Sequence, residues 1–198
     1  MNPEQILDHF RSTDALLEGH FVLSSGLHSG NYLQCALALQ YPADARQFGK
    51  AIVEALPKIV DTATIDTVAS PAIGGLVIGY AVAEALNVRF IWTERQNGAM
   101  TVRRGFTVRP GERILVVEDV ITTGGSTREC IAALEKNGGR VIAAASIIDR
   151  SNGTADVGVP RISLASMDVP SFDPAECPMC ARGDEAVKPG SRGSTGKA

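Results

Sequence analysis

Apolar and polar positions along this chain fall into blocks whose spacing switches between the helical and the extended period. Asn2-Pro3-Glu4-Gln5 opens the first block: Asn2 can cap a helix, Pro3 suits its first turn, and Gln5 is placed to return a capping contact. Ile6, Leu7 and Phe10 then fall on one apolar face. His20–Leu23 and Asn31–Cys35 read as two short strands around a Ser/Gly connection. Pro42 opens a second helix with Phe48, Ile52 and Leu56 at helical spacing. Beyond it the pattern predicts strand Thr67–Ser70, helix Gly75–Leu86, strand Val88–Thr93, strand Ile114–Glu118, helix Ser126–Asn137 and strand Arg140–Asp149. Apolar strands separated by helices predict an α/β fold, with a mainly parallel sheet covered on both faces.

Two segments break the pattern. Gln96–Gly111 is rich in Gly and Arg with few large apolar anchors, and reads as a long mobile loop or flexible hairpin of the kind that serves as a lid. From Gly183 the composition shifts to Gly, Ser, Lys and Pro, so 183–198 is expected to be a flexible tail.

Composition sharpens this picture only a little. With 198 residues, 44% apolar and 21% charged, the chain can bury one ordinary core. A net charge of −3 gives no reason to expect a nucleic-acid or anionic-membrane partner. The N-terminus lacks a cationic start before an apolar core, and Gly74–Leu86 and Val141–Ile148 are too short to span a bilayer. Four cysteines are too few for a secreted disulfide scaffold, so a reduced cytoplasmic setting is expected.

Open α/β sheets bind ligands at the carboxyl ends of their strands. Here those ends carry Ser70-Pro71-Ala72-Ile73-Gly74-Gly75, Glu94-Arg95, Glu118–Ser126 and Asp149-Arg150, all polar or glycine-rich. The most informative run is Ile114–Thr127, ILVVEDVITTGGST. An apolar strand delivers Glu118 and Asp119, Val120 and Ile121 follow, and Thr122-Thr123-Gly124-Gly125-Ser126-Thr127 leads into a helix. Glycines let the amides converge, the helix N-terminus adds partial positive charge, and the hydroxyls donate hydrogen bonds. That is a site for a phosphate monoester. It is not a Walker A loop, which needs a Lys before the Ser, nor a G-x-G-x-x-G fingerprint.

Over Val116–Thr127 the chain resembles the type I phosphoribosyltransferases, whose donor is phosphoribosyl pyrophosphate (PRPP). The resemblance implies that family's fold in residues 1–182, with a small hood from 1–40 and 161–180. It implies that Val120–Ser126 hold the 5-phosphate, that Glu118 and Asp119 face the ribose hydroxyls, and that Ser70–Gly75 is the pyrophosphate loop. Loss of pyrophosphate from C1 of ribose passes through an oxocarbenium-like state, which carboxylates near the ring can stabilise. Mg²⁺, held largely by the substrate's own oxygens, is the implied cofactor, with no metal ligand assigned among the protein side chains.

Three further segments are similar to the orotate-using members of that family: FVLSSGLHSGNYLQC (Phe21–Cys35), ERQNGAMTVRRGF (Glu94–Phe106), and CPMC followed by KPGSR. This similarity implies transfer of the phosphoribosyl group to orotate, giving orotidine 5′-monophosphate in pyrimidine synthesis. Arg150 would grip the orotate carboxylate bidentately, with Thr122 and Ser25 beside the same ligand. The better-known branch has Lys where Ser24 stands and a lysine-rich loop, whereas Glu94–Met100 has no Lys. Arg95, Arg103 or Arg104 is therefore expected to supply the catalytic cation, and the resemblance implies a homodimer whose loop serves the partner's site. The alternatives are a purine or uracil phosphoribosyltransferase, or a PRPP-sensing transcriptional regulator. The last expects a basic face or a helix-turn-helix, and the sequence offers neither.

Cys177-Pro178-Met179-Cys180 has the spacing of half a zinc site, but a structural zinc needs four ligands. His9, His20 and His28 are far away in sequence and lack ligand spacing, so the expectation is a tail packed on the body. Cys35 and Cys130 fall in apolar patterns and are expected to be buried and inert, and Trp92 to pack rather than stack on a base.

Overall fold

The computed structural model describes residues 1–23 and 25–189; Ser24 and the end of the expected tail lie outside them. Helix α1 (Pro3–Ser12) starts as its sequence dictates. The Gln5 amide donates to Asn2 Oδ1, and the Asn2 amide to Gln5 Oε1, each at 2.9 Å. A hairpin of β1 (Leu16–Val22) and β2 (His28–Leu33) follows, then the single turn α2 (Cys35–Ala38) and helix α3 (Pro42–Ala55). The body continues through β3 (Thr67–Pro71), α4 (Gly75–Leu86), β4 (Arg89–Gln96), β5 (Ala99–Val102), β6 (Arg113–Ile121), α5 (Gly125–Lys136), β7 (Arg140–Asp149) and β8 (Arg161–Ser166). It ends with β9 (Ser171–Phe172) and the short α6 (Pro178–Ala181).

The central sheet has six strands in the order β5-β4-β3-β6-β7-β8, parallel throughout except for β5. Strand β6 lies in the middle and its side chains alternate between two cores. Leu115 and Val117 join Ile6, Phe10, Phe48, Ile52 and Ile78 on the face covered by α1, α3 and α4. Ile114 and Val116 join Cys130, Ile131 and Leu134 of α5 on the other. Each such fully buried aliphatic side chain contributes about 1.5–3 kcal/mol, so β6 is firmly fixed from both faces. Helix α4 presses so closely on the sheet that a Cβ at Gly79 would meet Phe90 at 2.6 Å, and only glycine fits.

One open choice is decided and two expectations need correction. First, of the two readings of 96–111 the structure takes the hairpin, over its first part. Strand β4 runs on to Gln96 and pairs antiparallel with β5 through Asn97-Gly98. Both turn residues have positive φ, +52° and +83°, the backbone a two-residue hairpin requires and the one Asn-Gly favours. Second, Arg161–Ser166 does not belong to the hood: it is β8, paired parallel with β7 at the edge of the main sheet, with Ile162, Leu164 and Ala165 turned to the core. The hood is instead a three-stranded sheet, β1-β2-β9. Third, the chain does not leave the body at 183. The Val22 amide donates to Val187 O at 2.9 Å and the Val187 amide to His20 O at 2.8 Å, so the C-terminal segment continues along β1. Among the described residues no helix is long and apolar enough to cross a membrane.

Candidate active site

Alternation along β6 decides where its two acids go. Glu118 follows Ile114 and Val116 to the α5 face, and Asp119 follows Leu115 and Val117 to the α4 face. They do not share one pocket. Glu118 lines a cleft of about 220 Å³ with Arg95, Val120, Ile121, Thr122, Thr123, Gly124, Gly125, Ser126, Thr127 and Glu129. Asp119 lines a second cleft, of about 430 Å³, with Ile73, Gly74, Val77 and Cys35. A Cβ on Gly74 would stand 2.8 Å from both Asp119 oxygens, so the 70–75 loop rests directly on this carboxylate. The Ala72–Ile73 peptide in that loop is cis. Asp119 Oδ1 accepts the Val120 amide at 2.8 Å, and the Cys35 thiol hydrogen-bonds the same carboxylate.

Burial, and then the charge of Asp119, pushes Glu118 up to about 8; burial also raises Asp119. Glu118 Oε2 is buried with no hydrogen-bond partner. The two acids thus sit where negative charge is poorly supported by the protein, an environment that favours an approaching cation or hydroxyl donor.

The first cleft has the geometry of an anion cradle. Gly124 takes φ +75°, and a Cβ there would meet Val157 at 2.9 Å, so glycine is required. Helix α5 begins at Gly125 with no side-chain cap and no acid in its first turn, leaving its first amides open to an anion. Arg128 holds the loop from behind, its Nη1 donating to Thr123 O at 2.9 Å and Asp156 O at 2.6 Å. Arg128 could not be foreseen, because the clamp depends on a helix–loop contact with a residue 28 positions away.

A third cleft, of about 530 Å³, brings Thr122 and Thr123 together with Arg150 and, from the hood side, Val169 and Ser171. Arg150 is half-buried, its Nε has no partner, and burial pushes its guanidinium down. The turn that carries it is built by Asp149, which accepts from the Ser151 amide at 2.7 Å, the Ser151 hydroxyl at 2.6 Å, the Gly153 amide at 3.0 Å and Arg161 Nη1 at 2.9 Å.

Most of the remaining expected residues lie apart from these clefts. Arg104 grips Glu94 through two contacts of 2.7 and 3.1 Å, and Arg103 reaches the same carboxylate at 3.4 Å. These bonds, with one from Trp92, hold Glu94 at about 2. Trp92 itself packs edge-on against Phe106, with ring centroids 4.6 Å apart. Arg95 reaches the cradle but is paired with Glu129 at 2.6 Å. Ser25 is exposed in the β1–β2 turn and lines none of the three clefts, while Ser70 is buried beneath α4 with Oγ unpartnered. Pro71 and Ala72 complete the 70–75 loop beside them. Cys35 and Cys130 are buried thiols in the two cores, both raised by that burial, and Cys35 also lines the Asp119 cleft. His20 and His28, set aside in the sequence, meet Cys177 and Cys180 in the hood.

Residues 43–169 match the family model described as a phosphoribosyl transferase domain. The chain is 51% identical over 192 residues to the orotate phosphoribosyltransferase of Heliobacterium modesticaldum, covering 97% of this chain and 100% of that protein. It is 48% identical over 188 residues to that of Thermotoga maritima, covering 95% and 98%. Among solved structures, orotate phosphoribosyltransferase from Aeropyrum pernix superposes with a TM-score of 0.68 at 26% identity, over 82% of this chain and 93% of that one.

Proposed function

Because the chain belongs to the phosphoribosyl transferase domain family, we propose that it transfers the 5-phosphoribosyl group of PRPP to orotate, releasing pyrophosphate and forming orotidine 5′-monophosphate. The observation that carries the acceptor is Arg150: a half-buried guanidinium with an unpartnered Nε, in one cleft with Thr122 and next to the phosphate cradle. Orotate carries a carboxylate that uracil and the purines lack, and a desolvated guanidinium discriminates strongly for it.

In this reading the 5-phosphate lies on the 122–126 amides and hydroxyls at the N-terminus of α5. The 70–75 loop offers its backbone to pyrophosphate, beside Asp119. As the C1–oxygen bond to pyrophosphate breaks, Asp119 and Glu118 stabilise the positive charge on the ribose while the acceptor nitrogen closes on C1. Both carboxylates are hard oxygen donors without a protein cation, which suits Mg²⁺ brought in with PRPP. When bound, that ion supplies charge neutralisation to the pyrophosphate oxygens. Arg95, on the rim of the cradle, is the catalytic cation, released from Glu129 when substrate arrives; Arg103 and Arg104 exchange Glu94 for the donor in the same way.

The proposed assembly is a homodimer. Ile73, in the loop before α4, and Val77 and Tyr80, on that helix, are exposed at 83%, 47% and 61%, and such an apolar row suits a self-complementary interface. A cytoplasmic setting accords with four unpaired cysteines and phosphorylated substrates. The test is PRPP consumption with orotate, uracil, adenine and hypoxanthine in parallel. Turnover is expected with orotate alone; turnover with another base and not with orotate would overturn the acceptor.

A further inference from the structure

The hood holds a cluster that phosphoribosyl transfer does not use. Val22 lies opposite His28 in the β1–β2 hairpin, so His20, two residues back, shares that face and sits diagonal to His28. Their ring centroids are 4.7 Å apart, with His20 Nε2 2.8 Å from His28 Nδ1. Residues Cys177 and Cys180, one turn of α6 apart, close on the same point. Cys177 Sγ is 3.5 Å from His20 Nε2, and Cys180 Sγ is 3.8 Å from it and 3.3 Å from His28 Nδ1. All four donor atoms lie within 4.8 Å of one another.

Tetrahedral bonds of about 2.0–2.1 Å to nitrogen and 2.3 Å to sulfur imply donor–donor distances of roughly 3.3–3.8 Å. Three of the four sulfur–nitrogen separations, 3.5, 3.8 and 3.3 Å, fall in that range, and the nitrogen pair lies closer at 2.8 Å. The outer contacts point the same way. His20 Nδ1 is 2.9 Å from Asp184 O, and a carbonyl can only accept, so Nδ1 carries the hydrogen and the Nε2 lone pair faces the cluster. Three of the four residues are buried, and Cys180 alone is open to solvent. With no cation, the His28 Nδ1–H can donate to His20 Nε2, but the two thiols are left with weak sulfur contacts alone. A borderline-soft cation satisfies all four at once.

We propose that His20, His28, Cys177 and Cys180 form a structural Zn²⁺ site that clamps the two ends of the chain together in the hood. Four protein ligands fill the tetrahedron and leave no open position, so the ion serves architecture and not catalysis. It ties the hairpin of β1 and β2 to a segment 157 residues away, where Val187 already pairs with β1. Because Ser29 of β2 pairs with Ser171, which lines the Arg150 cleft, the clamp also sets the roof of that cleft.

The test uses the full chain, purified without a histidine tag and under reducing conditions. Elemental analysis is expected to give about one zinc per chain, and near zero in a Cys177→Ser/Cys180→Ser variant. Removing the metal from the wild-type chain with a chelator is expected to lower the melting temperature by several degrees, and adding Zn²⁺ to restore it. Co²⁺ in its place is expected to show the absorption of tetrahedral thiolate coordination, a readout that needs no variant to fold. Zinc content unchanged in the variant, an apo chain that melts with the loaded one, or a Cys177–Cys180 disulfide in the freshly isolated protein would each overturn the site.

Discussion

The phosphate cradle and the hood hold their side chains in place by different means. The cradle hangs from β6, where Ile114, Leu115, Val116 and Val117 are all 0% exposed and each face is sealed by helices. The hood buries few large side chains, chiefly Phe21, Val169 and Met179, and relies on β9, on main-chain bonds to Val187 and on the His–Cys cluster. In the cradle the groups that act are neighbours in sequence, positioned by a continuous core. In the hood they are assembled from opposite ends of the chain by polar contacts. The first arrangement separates activity from stability; the second ties them together.

Asp119→Asn is the strongest way to break that contrast. Burial raises the Asp119 carboxyl, so the fold gains nothing from its negative charge, and removing that charge should leave the melting temperature unchanged. The charge matters for the ribose in the transition state, so kcat is expected to fall about 10²–10³-fold with little change in PRPP affinity. Normal turnover in a folded variant would move the chemistry away from β6.

Arg150 stands where the two regions meet, and Arg150→Ala sharpens the boundary. Loss of a charge-assisted contact of about 2–3 kcal/mol corresponds to a rise in the orotate KM of roughly 10²-fold, with PRPP nearly unaffected. Steady-state kinetics with each substrate varied in turn checks it. If the PRPP KM rises and that of orotate does not, Arg150 belongs to the cradle.

The smallest effect is expected at the far end of β6. Just before that strand Glu112, whose carboxylate is fully buried, accepts from Thr67 at 2.7 Å, Arg89 at 3.0 Å and the Arg109 amide at 2.8 Å. Burial alone would raise it; hydrogen bonds from Thr67 and Arg109 and the charge of Arg89 outweigh burial and hold it below the usual carboxylate range. A depressed acid contributes stability above its unfolded value of about 4.3, and that contribution is lost as pH falls through the folded value. Since both arginines are partly exposed, Glu112→Gln should cost only about 1–2 kcal/mol at pH 7 in urea unfolding. The gap to wild type should close at pH values below that of the folded Glu112, with kcat unchanged throughout. A gap independent of pH would mean that the loss is one of packing.

What the sequence discloses follows the same division. The α1 cap, β6 and the 122–127 loop are legible because each rests on residues within a few positions of one another, where periodicity and capping chemistry act directly. The opposed directions of Glu118 and Asp119 were implicit in strand alternation, but the acids read as a pair because they are adjacent. The hairpin at Asn97-Gly98 is one of two readings of 96–111 that the sequence leaves open, because the surrounding Gly and Arg composition also suits a loop. Arg128 against Asp156, and the two histidines against the two cysteines, depend on tertiary contacts between distant segments. The C-x-x-C spacing hinted at such a site without naming its partners.

Joining the ends of the chain also sets an order of assembly during synthesis. The β1–β2 hairpin leaves a ribosome well before residues 171–187, which complete its sheet. The strands and helices of the phosphate cradle lie wholly between them. A nascent chain therefore carries the 122–127 loop before that loop can have a roof, and β1 and β2 must wait, unpaired on one edge, until residues 171–187 follow.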